Sequence, residues 1–124
     1  MTDKWKEKVS SEEYLICRKK HTEPPFSGEY DKFFKEGIYE CKCCKSKLFQ
    51  SSDKYDSGSG WPSFKKPILD TAIEYTNDQS LNIARIEIKC SKCGSHLGHV
   101  FDDGPGPLYK RYCVNSLSLC FTGK

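Results

Sequence analysis

No run in the chain approaches the roughly 20 apolar residues that cross a bilayer. The opening MTDKWKEKVSSEEYL also contains no apolar segment of the signal-peptide kind. Both absences set the expectation of a cytoplasmic protein without membrane contact. Charge of one sign is scarce. The net charge is +3, with lysines interleaved among carboxylates, and a balance so weak carries no nucleic-acid partner. Core-formers are lean, at 36% apolar against 30% charged residues. A chain of 124 residues with that composition gains from a metal or a cross-link.

Cysteine, by contrast, is abundant, with eight in the chain. In a reducing compartment this favours metal ligation and redox catalysis over a disulfide framework. CKCCKSKL (41–48) and CSKCGSHL (90–97) both read C-x-x-C-x-S-x-L. Each tight turn aims two sulfurs at one ion, and two turns complete a tetrahedron with Zn–S of about 2.3 Å. Cys41, Cys44, Cys90 and Cys93 are therefore the expected ligands of one structural zinc ion per chain. Gly94 suits the sharp turn after the second pair, while Lys45 holds the equivalent place after the first. Four protein ligands leave no coordination position for a water, which disfavours a zinc hydrolase or deaminase. Residues 45–89 separate the pairs, so a sub-structure is expected between them.

Cys17, Cys43, Cys113 and Cys120 remain. A reactive thiol needs a cation or hydrogen-bond donors nearby. In a strand, Arg111, Cys113 and Asn115 share a face, which makes Cys113 a candidate. A buried structural cysteine beside a surface arginine is an equal alternative on spacing alone. SHLGHVFDDGP places His96 and His99 three residues apart around Gly98. The glycine admits close approach, and the imidazoles look like paired donors around one polar atom. Trp61, in GSGWPSF, reads as a fixed and partly exposed ring able to pack on a methyl or thioether group.

The capping-box pattern of Ser10 and Glu13 predicts a helix over about Ser11–Lys19. FFKEGIYEC, AIEYTN, NIARIEIKC and LYKRYCVNSLSLCF read as strands, and SDKYDSGSGWPSF as a loop. The expectation is a single, mainly β domain of antiparallel sheets. A helical N-terminal arm (1–25) would precede a zinc-containing β core (26–124).

CKCCKSKLF, KYDSGSGWPSF, CSKCGSHLGHVFDDGPGP and RYCVNSLSL, with YLICRKKHTEPPFSGEY before them, resemble the methionine sulfoxide reductase B family, the reductases of the R epimer of methionine sulfoxide. The resemblance runs from about Tyr14 through nearly the whole chain. It implies two antiparallel sheets, with the four-cysteine zinc site away from the active site. It implies Cys113 as the nucleophile and Trp61 packed on the substrate's ε-methyl. His96, His99 and Asn115 would bind or protonate the sulfoxide. Arg111 and Asp103, chosen over Asp102, would organise the site. The substrate would be oxidised protein, the reductant thioredoxin, and the enzyme a monomer.

The sequence departs from many relatives in the SGxGWPSF loop, where their resolving cysteine is here Ser59. Cys120 on a continuous strand would lie about 20 Å from Cys113, against the roughly 7 Å between bridged Cα atoms. A break near Asn115–Ser116 would weaken this distance argument, but Cys120 is expected to be a buried small hydrophobe. Cys43 belongs to the knuckle. Some family members resolve with a cysteine of the N-terminal arm, so Cys17 is the expected partner, with an amphipathic-helix core cysteine as the alternative. A zinc-ribbon binding module explains the knuckles but gives Cys113 no task.

Overall fold

The computed structural model describes residues 9–19, 21–31, 33–78 and 85–123. The start of the expected arm (1–8) and residues 82–84 of NIARIEIKC lie outside them. Ser10 Oγ accepts the Glu13 N–H at 3.2 Å, and Glu13 Oε1 accepts the Ser10 N–H at 2.8 Å. This reciprocal cap starts helix α1 (Ser11–Lys19), with Glu12 and Glu13 in its first turn and Arg18 and Lys19 in its last. Both charge pairs complement the helix dipole. The inner face of α1 buries Ile16 and Cys17.

The strands are β1 (Gly37–Cys41), β2 (Lys47–Gln50), β3 (Lys54–Tyr55), β4 (Ser63–Phe64), β5 (Ile73–Asp78), β6 (Arg85–Cys90), β7 (His96–Phe101), β8 (Arg111–Val114) and β9 (Leu119–Gly123). They form two antiparallel sheets, in the orders β2-β1-β9 and β3-β4-β8-β7-β6-β5. The core between the sheets is aromatic. Tyr39, Phe49 and Phe64 are fully buried, with Phe49 stacked on Phe64 at 4.3 Å between ring centroids. Burying each such side chain stabilises the fold by about 1.5–3 kcal/mol. No described helix is long and apolar enough to cross a membrane.

Three local expectations change. The segment 52–64 is not all loop, because β3 and β4 flank the glycines and join the larger sheet. HLGHVF, read only as a histidine motif, is strand β7. The last strand is not continuous. After β8 the chain makes a 3-10 turn at Ser116–Ser118 and enters the other sheet as β9. Cys120 consequently sits beside the first knuckle, its sulfur accepting from Lys45 Nζ at 3.4 Å. It is half-buried and polar in its contacts, not a buried small hydrophobe.

Candidate active site and metal centre

Register assembles a polar row across one face of the larger sheet. Tyr55 lies opposite Ser63, Ser63 opposite Cys113, Cys113 opposite His99, and His99 opposite Glu87. Directly opposed residues project to the same face. The two-residue period adds Arg111, Phe101, Arg85 and Asp78 to it. A cavity of about 220 Å³ opens over this row, with Cys113, His99, Trp61, Ser59, Arg85 and Arg111 in its wall. A larger hollow, about 550 Å³, lies between α1, residues 21–29 and the turn at 116–118, but no thiol lines it.

Gly98 makes the row compact. A Cβ there would stand 1.9 Å from the Cys113 carbonyl oxygen, so only glycine lets β7 and β8 approach this closely. Burial pushes the Cys113 thiol up to about 11, opposed by the Arg111 charge and a hydrogen bond with Ser59. Burial thus favours the protonated thiol, and the Arg111 charge favours the thiolate. Arg111 is held in a bidentate pair by Asp103, Nε to Oδ1 at 2.8 Å and Nη2 to Oδ2 at 3.1 Å. Its guanidinium also lies over the Phe101 ring at 4.4 Å.

The two histidines are not equivalent. His99 Nε2 bonds Asp78 Oδ2 at 2.7 Å and the ring reaches the cavity. His96 Nδ1 bonds Glu87 Oε2 at 2.8 Å, and that ring is 3% exposed and absent from the cavity wall. Burial holds His99 below the usual imidazole value, only partly offset by its bond to Asp78. Asn115 lines the cavity with its amide engaged at both ends. Oδ1 accepts the Glu23 N–H and Nδ2 donates to the Leu97 carbonyl, each at 3.0 Å. Trp61 Nε1 donates to the Glu23 carbonyl at 3.0 Å, which fixes the ring at the cavity edge.

The two knuckles repeat in geometry as in sequence. Lys45 N–H donates to Cys41 O at 2.9 Å and Gly94 N–H to Cys90 O at 2.8 Å. Both turn residues have left-handed φ, 65° for Lys45 and 78° for Gly94. The Sγ atoms of Cys41, Cys44, Cys90 and Cys93 all lie within 4.8 Å of one another, with contacts of 3.6 Å (Cys41–Cys93) and 3.5 Å (Cys44–Cys90). A tetrahedral zinc with Zn–S of about 2.3 Å needs edges of about 3.8 Å, so the four thiols fit a metal ion of that kind. His21 and Glu23 have the H-x-E spacing of zinc deaminases but do not join this cluster.

A family profile for the SelR domain matches residues 9–123. A peptide methionine sulfoxide reductase MsrB of Alteromonas mediterranea is 51% identical over 120 residues, covering 97% of this chain and 84% of its own. One of Acinetobacter baylyi is 56% identical over 115 residues, covering 93% and 83%. One of Pseudomonas syringae pv. syringae is 50% identical over 117 residues, covering 94% and 89%. The chain belongs to the SelR family.

Within this SelR domain the remaining thiols stand apart from the cavity. Cys17 is 2% exposed, its sulfur 3.9 Å from both the Leu117 carbonyl and Ser118 Oγ. Its contact with Cys43 is the largest influence on the latter's thiol, which is raised to about 11. The structure therefore seats Cys17 in the core beside the first knuckle and does not bring it to Cys113. Ser59 does stand beside Cys113. The sequence reading missed Asp78, Arg85, Glu87 and Glu23. Alternation puts Arg85 and Glu87 on one face of R-I-E-I-K-C, but only the register of β5 and β6 against β7 places them and Asp78 beside His99. Glu23 carried no such signal, because its bonds to Trp61, Asn115 and Leu117 come from the folding of an irregular segment.

Proposed function

We propose that the chain reduces the R epimer of methionine sulfoxide in proteins, with Cys113 attacking the sulfoxide sulfur. Methionine sulfoxide reduction itself follows from membership of the SelR family and about 50% identity to the MsrB relatives over nearly the whole chain. The observation that carries the finer reading is the cavity in which Cys113 and His99 face each other across β8 and β7, with Trp61 at the edge. With the ε-methyl packed on Trp61, only one epimer turns its oxygen toward His99 and Arg111. That handedness is the basis of R selectivity.

The resting protonation states favour a proton relay. Cys113 holds its proton and His99 is neutral. As sulfur attacks sulfur, His99 takes the thiol proton and delivers it to the departing oxygen. The protonated oxygen passes to the Cys113 sulfur as the substrate S–O bond breaks. The transient S–S bond breaks with its electron pair going to methionine, which leaves as the thioether, and Cys113 is left as sulfenic acid. Arg111, oriented by Asp103, stabilises the developing thiolate, while Asn115 holds the segment 22–23 against β7. His96 supports His99 from behind, edge to face at 5.6 Å between ring centroids.

A second thiol then condenses with the sulfenic acid, releasing water and forming a disulfide that thioredoxin reduces by exchange. Cys17 is the proposed partner, and its buried seat requires that α1 and the following segment move in that step. The four cysteines would hold one zinc ion, which would supply a rigid cross-link and, with four protein ligands, no chemistry of its own. The enzyme acts as a cytoplasmic monomer. Turnover assays with separated epimers test the reading: R-only activity with dithiothreitol supports it, and equal use of both epimers overturns it. Peptide mapping after one turnover without reductant tests the recycling step. A Cys113–Cys17 peptide supports that route, and lasting sulfenic acid or another partner rejects it.

A further inference from the structure

One charged side chain in the cavity wall has no part in the reaction described above. Arg85 starts β6, directly opposite Asp78 at the end of β5. Its Nη2 lies 3.4 Å from Asp78 Oδ2, the same oxygen that His99 Nε2 contacts at 2.7 Å. The guanidinium is 22% exposed, Asp78 is 2% exposed, and Arg85 Nε is buried without an acceptor. An arginine placed only to neutralise a carboxylate has no reason to bury an orphan donor beside Cys113 and His99. We propose that Arg85 is a positioning residue for His99, dividing one carboxylate oxygen with the imidazole and so holding the ring as a proton acceptor. The inference rests on the reading that His99 relays the Cys113 proton.

The geometry fixes the tautomer. With Nε2 against Asp78, the neutral ring donates there and keeps Nδ1 as its accepting atom. Asp78 alone would favour the imidazolium, which cannot take a proton from the thiol. Arg85 draws on the same oxygen and places a positive charge near the ring, against the imidazolium. The charges facing His99 are Asp78 from β5, Arg85 and Glu87 from β6, His96 from β7, and Arg111 and Cys113 from β8. Burial is the largest influence lowering the His99 pKa, the Asp78 bond opposes it, and the Arg85 charge lowers it further. Glu87 bonds His96 and acts on His99 only through space.

The experiment is an NMR titration of His99 in the substrate-free protein, set beside the pH profile of kcat/KM. The chain has three histidines, and His99→Gln assigns the His99 resonances. In the unmodified protein, His99 is expected to carry its proton on Nε2 and to titrate below the free imidazole value of about 6.5. Arg85→Gln is expected to move the His99 titration, and the acid limb of kcat/KM, to higher pH, while Arg85→Lys keeps both near their original place. His99 titrating above about 6.5, or unmoved by Arg85→Gln, or moved equally by Arg85→Lys, would overturn the proposal. Should Arg85→Gln fail to fold, the tautomer and titration midpoint of the unmodified protein and the lysine variant still decide. The titration involves no turnover, so its failure is distinct from that of the relay: a shifted His99 with an unshifted acid limb indicts the relay alone.

Discussion

At the scale of the residue, burial acts on the two facing groups in opposite senses, raising the Cys113 thiol and lowering the His99 imidazole. Cys113 alkylation by iodoacetamide, followed by mass spectrometry, is expected to rise with pH to a midpoint near the value of about 11 that burial imposes. A midpoint close to the free thiol value of about 8.5 would contradict this. Arg111 lowers that pKa, so Arg111→Gln should move the midpoint up and reduce kcat/KM by roughly 10²-fold, the scale of losing one charge-stabilising donor. The two groups affect folding with opposite signs. The folded chain keeps the Cys113 proton longer than the unfolded chain does. Its contribution is therefore complete below about pH 8.5 and is lost as pH rises toward about 11. His99 releases its proton more readily when folded, so its contribution is present above about pH 6.5 and declines as pH falls below that. Thermal unfolding across pH in Cys113→Ser and His99→Gln backgrounds separates the two.

At the scale of the element, Gly98 and the knuckle turns make the sharpest demands on sequence. Gly98→Ala must push β8 away from β7, because the new atom would overlap the Cys113 carbonyl. Loss of at least 10²-fold in kcat/KM is expected, since an ångström of misplacement at a reacting centre costs about that much. The substituted protein's amide exchange in β8 should also rise. Gly94 has open space around its missing Cβ, so Gly94→Ala costs only backbone strain, about 1–2 kcal/mol. Lys45 already bears that strain, and Lys45→Gly should recover part of it; urea unfolding of both variants reads the pair. The helix, the knuckles and most long strands could be read from the sequence, because capping residues, paired cysteines and alternation are local signals. Strands β3 and β4, with two residues each, and the break after Val114 were not, because a two-residue strand has no period to detect. Site residues on the motifs were likewise visible. Asp78, Arg85 and Glu87 emerged only when register laid β5 and β6 beside β7. The even spacing that placed Cys113 with Arg111 was sound, but exposure of the thiol depends on tertiary burial, which no spacing encodes.

At the scale of the whole molecule, two sheets share one aromatic core, and the sulfur cluster joins β1 and β2 of the smaller sheet to β6 and β7 of the larger. One zinc per chain is expected by elemental analysis. Cys41→Ser should lower it and destabilise the fold by several kcal/mol, in line with about 4 kcal/mol for a ligand held at a thousand times its dissociation constant. The turn at Ser116–Ser118 also lies between the two centres. Three residues beyond Cys113 the chain leaves its sheet, and the Ser118 carbonyl accepts the Lys42 N–H inside the first knuckle at 2.9 Å. Ejection of the proposed ion by a competing heavy metal would therefore slacken the tether on β8, which carries Cys113, and sulfoxide reduction should fade before the protein melts.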